Sequence, residues 1–140
     1  MADSPVVLLV DDNSSVRQSL TRALSFENYE VVAAANGAEA MRGLGGNSID
    51  VVLLDQDLGL ESGWDLLEQF RKLQPGLPVI IMTARPERPA RSTQIVDALM
   101  EKPLDLPMLF QTLDSLAART GPNRFPPVEG PSRSDPVGVV

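Results

Sequence analysis

The 140-residue sequence predicts an α/β fold, a parallel β-sheet covered by helices on both faces. Two observations carry that expectation. Short runs of nearly pure hydrocarbon alternate with segments of helical period, as strands buried on both faces require. Four of these runs also end in residues that carry chemistry: Asp11-Asp12 after Val6 to Val10, Asp55 after Val51 to Leu54, Thr83 after Val79 to Met82, and Lys102-Pro103 after Ala98 to Met100. Ligands gather at the carboxyl ends of the strands in an open parallel sheet, so these scattered residues would converge on one cluster.

Val6 to Val10 is the first strand. Val16, Leu20, Ala23 and Leu24 then repeat at i, i+4, i+7 and i+8, the buried stripe of a helix that Asn13 or Ser14 is placed to cap. Glu30 to Ala34 is the second strand, followed by a shorter helix from Asn36 to Leu44 that Gly45-Gly46 should end. After the third strand, Val51 to Leu54, a helix begins near Gly63, turns Leu66, Leu67, Phe70 and Leu73 inward and stops before Pro75-Gly76. Val79 to Met82 and Ala98 to Met100 complete the strands. Between them Pro86 and Pro89 would interrupt a helix starting straight after the fourth strand, so the fourth helix is expected to be late, short or irregular. The last helix is the best defined: Asp105 caps it, Pro107 is tolerated in its first turn, and Leu109, Phe110, Leu113, Leu116 and Ala117 form its stripe. Past Thr120 the chain holds Gly121-Pro122, Pro126-Pro127, Gly130-Pro131 and Asp135-Pro136 with no stripe of either period. Residues 5–119 are therefore expected to form one domain, with 120–140 a disordered tail, a linker or a peptide that docks on a partner.

Composition removes whole classes of chemistry. With no cysteine there are no disulfides, thiolate metal sites or thiol nucleophiles, and with no histidine there are no imidazole bases or phosphohistidine donors in this chain. A net charge of -7 argues against nonspecific nucleic-acid binding and favours solubility. The start, Met1-Ala2-Asp3-Ser4, lacks the basic and apolar regions of a signal peptide, and no apolar run reaches membrane-spanning length, which makes the cytoplasm the expected location.

Carboxylates, a hydroxyl and an ammonium remain for the chemistry. Asp55 stands at the end of a hydrocarbon strand, and Asp11 and Asp12 would lie at the same sheet edge if the two strands are neighbours. Three carboxylates packed together repel, which implies raised pKa values or a bound cation. Oxygen-only ligation in an open site suits Mg²⁺, with Asp12, Asp55 and the backbone carbonyl of Asp57 as ligands and Asp11 holding a water or orienting the others. Lys102 could pair with Asp55 at rest and with a phosphoryl oxygen afterwards, and Thr83 offers a hydroxyl donor.

From about Pro5 to Arg119 the pattern resembles the receiver domain of two-component response regulators. The shared features are Val10-Asp11-Asp12-Asn13, Asp55 eight residues before Gly63, Thr83-Ala84 after the fourth strand and Lys102-Pro103 after the fifth. The resemblance implies a flavodoxin-like, doubly wound five-stranded sheet of order 2-1-3-4-5. It also implies Asp55 as phosphoacceptor, Asp11 and Asp12 as the magnesium acids, Thr83 as switch hydroxyl and Lys102 as the phosphate-pairing lysine, with a cis bond before Pro103. The implied donor is a histidine kinase or histidine phosphotransfer protein, the implied state a monomer or phosphorylation-dependent dimer, and the implied activity no more than the domain's own phosphorylation and dephosphorylation.

The chain departs from that family in places. Many receivers carry an aromatic three residues before the lysine, where this one has Leu99, and the stretch from Thr83 to Lys102 looks short. Signalling is therefore expected to use the loop after Thr83 and a reshaped fourth helix. Asp57 and Arg85 flank the approach of water and are candidates for tuning the acyl phosphate's lifetime. Trp64 is expected to pack at the start of the third helix close to the site, as a core or a surface-packing residue, and Ser14, Val16 and Arg17 mark a candidate docking face. Three other readings compete. Asp55-Gln56-Asp57 resembles the nucleophile and general acid of haloacid-dehalogenase-like phosphatases, although the acidic pair here lies upstream and no cap is present. A flavodoxin-like cofactor binder would need a phosphate-cradling first loop, from which Asp11-Asp12 would repel the phosphate. A receiver-like module that binds partners without phosphorylation is the third.

Overall fold

The computed structural model describes residues 4–84 and 96–120. In chain order these form β1 (Val6–Val10), α1 (Ser14–Phe26), β2 (Glu30–Ala34), α2 (Gly37–Gly46), β3 (Val51–Asp55), β4 (Asp57–Leu58), β5 (Glu61–Ser62), α3 (Gly63–Leu73), β6 (Val79–Thr83), β7 (Ala98–Glu101) and α4 (Leu106–Thr120). The five apolar runs make one sheet of order β2-β1-β3-β6-β7, all parallel. That is the expected 2-1-3-4-5 order once β4 and β5, an antiparallel hairpin within the loop after Asp55, are set aside. The hairpin was not anticipated. The expected fourth helix, with Pro86 and Pro89, and the tail beyond Thr120 lie outside the described residues.

The alternation of side chains along each strand sorts the core into two layers. Leu8, Val10, Val52, Leu54, Val79 and Ile81 face α2 and α3, which contribute Ala40, Leu44, Leu67 and Phe70. On the other face Val7, Leu9, Val51, Leu53, Ile80 and Met82 meet Leu20 and Leu24 of α1 and Leu109, Leu113 and Leu116 of α4. Trp64, at the start of α3, is buried in the first layer, the core one of the two placements expected of it.

The helices start where polar caps allow. Asn13 accepts from Val16 N, Ser62 from Trp64 N, both at 3.1 Å, and Asp105 accepts from Met108 N at the same distance. At α2, Asn36 Oδ1 accepts from Glu39 N at 2.9 Å while Glu39 Oε1 accepts from Ala35 N at 2.7 Å, so the cap serves a first-turn amide and the first turn serves the amide just before the cap. This helix runs on through Gly45 and Gly46 instead of stopping before them. Asn47 Nδ2 donates to Gly43 O at 2.9 Å, which serves one of the last-turn carbonyls.

The lower edge of the sheet repeats one device. Asp50 N donates to Val6 O while Asp50 Oδ2 accepts from Val6 N at 2.8 Å; Asp97 N donates to Val79 O while Asp97 Oδ2 accepts from Val79 N at 2.8 Å. Each aspartate precedes one strand and clamps the first residue of its neighbour, fixing the register from below.

Tyr29, buried at the start of β2, donates its hydroxyl to Asp114 on α4 and ties the first half of the chain to the last helix. Burial, with the hydrogen bond and charge of Asp114 behind it, holds this phenol well above its ordinary range. The neutral phenol therefore favours the folded state, a contribution complete below about pH 10 and lost as pH rises past it. Tyr29→Phe should cost about 1 kcal/mol at neutral pH. It should also flatten the fall in thermal midpoint on going to alkaline pH, which scanning calorimetry across that range would detect.

Candidate functional site

The upper edge of the sheet gathers the polar strand ends through register alone. Val10 pairs with Leu54, so Asp11 and Asp55 come level on adjacent strands, and Asp11 N continues the ladder to Ala34 O at 3.1 Å. Asp55 pairs with Met82, Thr83 pairs with Glu101, and Lys102 N donates to Thr83 O at 2.8 Å. Asp11 extends the alternation of Val7 and Leu9, Asp55 that of Val51 and Leu53, and Lys102 that of Met100. All three thus project on the α1/α4 side.

There the side chains meet. Lys102 Nζ lies 3.0 Å from Asp11 Oδ2 and 3.1 Å from Asp55 Oδ2, a single ammonium bridging two buried carboxylates. Their second oxygens are held by the backbone: Asp11 Oδ1 accepts from Asn13 N at 2.9 Å and Asp55 Oδ1 from Asp57 N at 3.1 Å. Asp12 is exposed, yet carboxylate oxygens of Asp11, Asp12 and Asp55 all lie within 4.8 Å of one another. Asp57 is exposed and outside that trio; its side chain and that of buried Thr83 line the same open cleft, of about 320 Å³. Arg85 lies outside the described residues.

Burial raises the Asp55 carboxyl above its ordinary range, and the charge of Asp11 adds to this against the opposing Asp57 amide and Lys102. For Lys102 burial disfavours the charge, but the hydrogen bonds and charges of Asp11 and Asp55 outweigh it and the ammonium is held more firmly. Three carboxylates against one ammonium still leave negative charge in excess, and the donors are all oxygens. The set therefore fits a hard divalent cation such as Mg²⁺, which Asp11, Asp12 and Asp55 would hold.

Two glycines let the loop after Asp55 fold over this edge. Gly63 opens α3 so close to β3 that a Cβ there would stand 2.2 Å from the Asp55 carbonyl oxygen. Gly59 takes φ 74°, and a Cβ on it would meet Asp12 Oδ2 at 3.4 Å. Arg17 Nη1 donates to Asp11 O at 2.7 Å, so this member of the expected docking face also braces the acidic loop. The peptide before Pro103 is cis. Leu99 is half-buried and lines a separate cleft with Met108. The contacts of Gly59 with Asp12 and of Arg17 with the Asp11 carbonyl leave no periodic mark in the sequence; the Gly-X₃-Gly spacing after Asp55 is the one local sign of a tight loop.

An α/β domain with a buried aspartate, an acidic trio, a threonine and a lysine at its carboxyl edge belongs to the class of cation-dependent phosphoryl-handling domains. Its family is more specific. Residues 7–114 match the model of the response regulator receiver domain, and the chain belongs to that family. It is 36% identical over 119 residues to the transcriptional regulatory protein GlrR of Escherichia coli K12, covering 83% of this chain and 27% of that protein. It is equally 36% identical over 123 residues to the response regulator MprA of Mycobacterium sp. strain KMS, covering 86% of this chain and 54% of the relative. The chain thus spans about half or less of these curated relatives. Among solved structures, Thermotoga maritima TrrA, crystallised in complex with Mg²⁺-BeF, matches with TM-score 0.73 and 28% identity over 80% of this chain and 98% of its own. A CheY-like receiver domain from Methanospirillum hungatei matches with TM-score 0.75 and 26% identity over 84% and 96%.

The tight contact at Gly63 gives a direct test of how the site is built. Gly63→Ala should lower stability by about 1–3 kcal/mol, the usual penalty for overpacking. Gly76→Ala, with open space around it, should leave the urea midpoint near wild type. Equal midpoints for the two variants would show that β3 and α3 separate at no cost.

Proposed function

We propose that this receiver domain is a phosphoacceptor in which Asp55 takes a phosphoryl group from the phosphohistidine of a histidine kinase or histidine phosphotransfer protein. The carrying observation is the Lys102 bridge between Asp55 and Asp11 beside Asp12. A buried carboxylate, a fixed positive charge and an acidic trio share one cleft, which supports the reading. Bound Mg²⁺ would neutralise phosphoryl oxygens as their charge redistributes, with Asp11, Asp12 and Asp55 as its carboxylate ligands and the Asp57 carbonyl as a further oxygen.

The chain's own residues do the rest. A carboxylate oxygen of Asp55 forms the new bond to phosphorus while the phosphorus–nitrogen bond breaks and its electron pair returns to the donor's imidazole. Asp57 N–H and Lys102 hold Asp55 in place, so little reorganisation is needed at the moment of attack. Lys102 then exchanges its carboxylate partner for a phosphoryl oxygen, and the Thr83 hydroxyl, at the rim of the same cleft, turns towards the new anion. That movement shifts an equilibrium already present in the domain and alters the surface offered to a downstream protein. Water later hydrolyses the acyl phosphate, and Asp57 and Arg85 set how fast. On this reading the domain occupies residues 5–119 with 120–140 a tail or linker, acts in the cytoplasm, and catalyses only its own phosphorylation and dephosphorylation.

Incubation with a small acyl-phosphate donor should give one phosphoryl adduct by intact mass, dependent on Mg²⁺ and absent in Asp55→Asn. Lys102→Met should slow its formation by roughly 10²–10³-fold, the scale for losing one preorganised charge. A folded wild type that takes no phosphoryl group from the small donor or from a phosphorylated histidine phosphotransfer protein would favour a phosphorylation-independent binding module. Asp57→Ala should change the rate of adduct loss; an identical rate would remove that residue from the hydrolytic step.

A further inference from the structure

We propose that Glu61 is a positioning residue of the site, tying the loop that carries Asp57 and Gly59 to the amino end of α2 and so setting how firmly the cation pocket is held. What the pocket binds rests on the receiver reading above; the tie itself rests on geometry.

Glu61 Oε1 accepts from Gly37 N at 2.8 Å, across 24 residues of sequence. That amide belongs to the first turn of α2, where backbone donors lack intrahelical partners and a carboxylate is favoured by the helix dipole. The fit is close on the helix side too: a Cβ at Gly37 would stand 2.9 Å from Oε1 and 3.2 Å from Oε2 of Glu61. Gly37 is buried, and a side chain there would crowd the carboxylate on its amide.

At its other end Glu61 belongs to the hairpin, paired with Leu58, while Ser62 pairs with Asp57. Leu58 is buried, and Asp57 N is hydrogen-bonded to Asp55. Between the paired residues Gly59 turns against Asp12, and Leu60 at the tip is wholly exposed. The near side of the loop is therefore pinned to the core and to Asp55, whereas burial of the tip contributes nothing. The Glu61 carboxylate secures the far side. Releasing it would let Asp57 and Gly59 move relative to Asp12 and Asp55, and the pocket would have to be ordered again on binding each ion.

The test uses the full chain and three variants. Glu61→Ala removes the carboxylate. Gly37→Ala crowds it while giving α2 a better helix former. Asn36→Ala removes the cap at the same helix end and leaves the loop untouched. Hydrogen exchange at the Asp57 and Gly63 amides in metal-free protein should accelerate in the first two variants and stay at wild-type rates in the third. The Mg²⁺ dissociation constant, followed by the Gly59 amide shift, should rise roughly three- to tenfold in the first two, at or below the range for groups that orient metal ligands. Glu61→Gln, which keeps an oxygen for Gly37 N, should restore most of both. Wild-type exchange in Glu61→Ala, or the same acceleration in Asn36→Ala, would overturn the proposal. A wild type that binds no Mg²⁺ would instead defeat the receiver reading, and the exchange rates would still decide the tie.

Discussion

Lys102 stands between two carboxylates that water scarcely reaches, and the carboxyl edge of the sheet depends on it. Asp11 and Asp55 are brought level by the pairing of β1 with β3, so their repulsion is built in by the register that also packs Leu9 against Leu53. An ammonium arriving from β7, two strands from Asp55, compensates both at once. The arrangement explains why one strand end supplies a lysine where two others supply acids. It also leaves the edge acidic overall, since Asp12 has no share in the bridge.

The opposite edge solves a related problem by other means. Asp50 and Asp97 spend their carboxylates on strand amides and so hold the register without gathering charge in one place. Arg71 and Arg119 approach Asp97 at 3.7 and 3.4 Å, contacts near the surface that add little stability. One end of the sheet is thus a set of local clamps, each complete in itself. The other is a shared charge cluster whose members depend on each other.

Much of this was legible in the sequence because it follows from local pattern. The hydrocarbon runs marked the five strands, and the rule that ligands gather at the carboxyl ends of a parallel sheet brought Asp11, Asp55, Thr83 and Lys102 to one edge. The strands extended one residue beyond expectation at Asp55, Thr83 and Glu101, since a polar side chain at a strand end can keep its backbone in the ladder while reaching the cleft. What escaped was non-local. The Glu61–Gly37 contact joins a loop to a distant helix start, the Tyr29–Asp114 contact joins residues 85 apart, and neither leaves a periodic trace. The Asp50 and Asp97 clamps were hidden for a different reason: a lone aspartate before a strand reads as an ordinary turn residue.

Tyr29 has a consequence for how the chain can be divided. The phenol and the β1–β3 face beside it are sealed by α4, through Leu109, Leu113, Leu116 and the acceptor at Asp114. A fragment cut at the start of α4 would keep the acids of the site, the threonine and the lysine, yet would uncover the part of that wall that α1 leaves to α4 and strand a buried hydroxyl. The minimum working length of this domain is therefore dictated by a helix that contributes no residue to its chemistry.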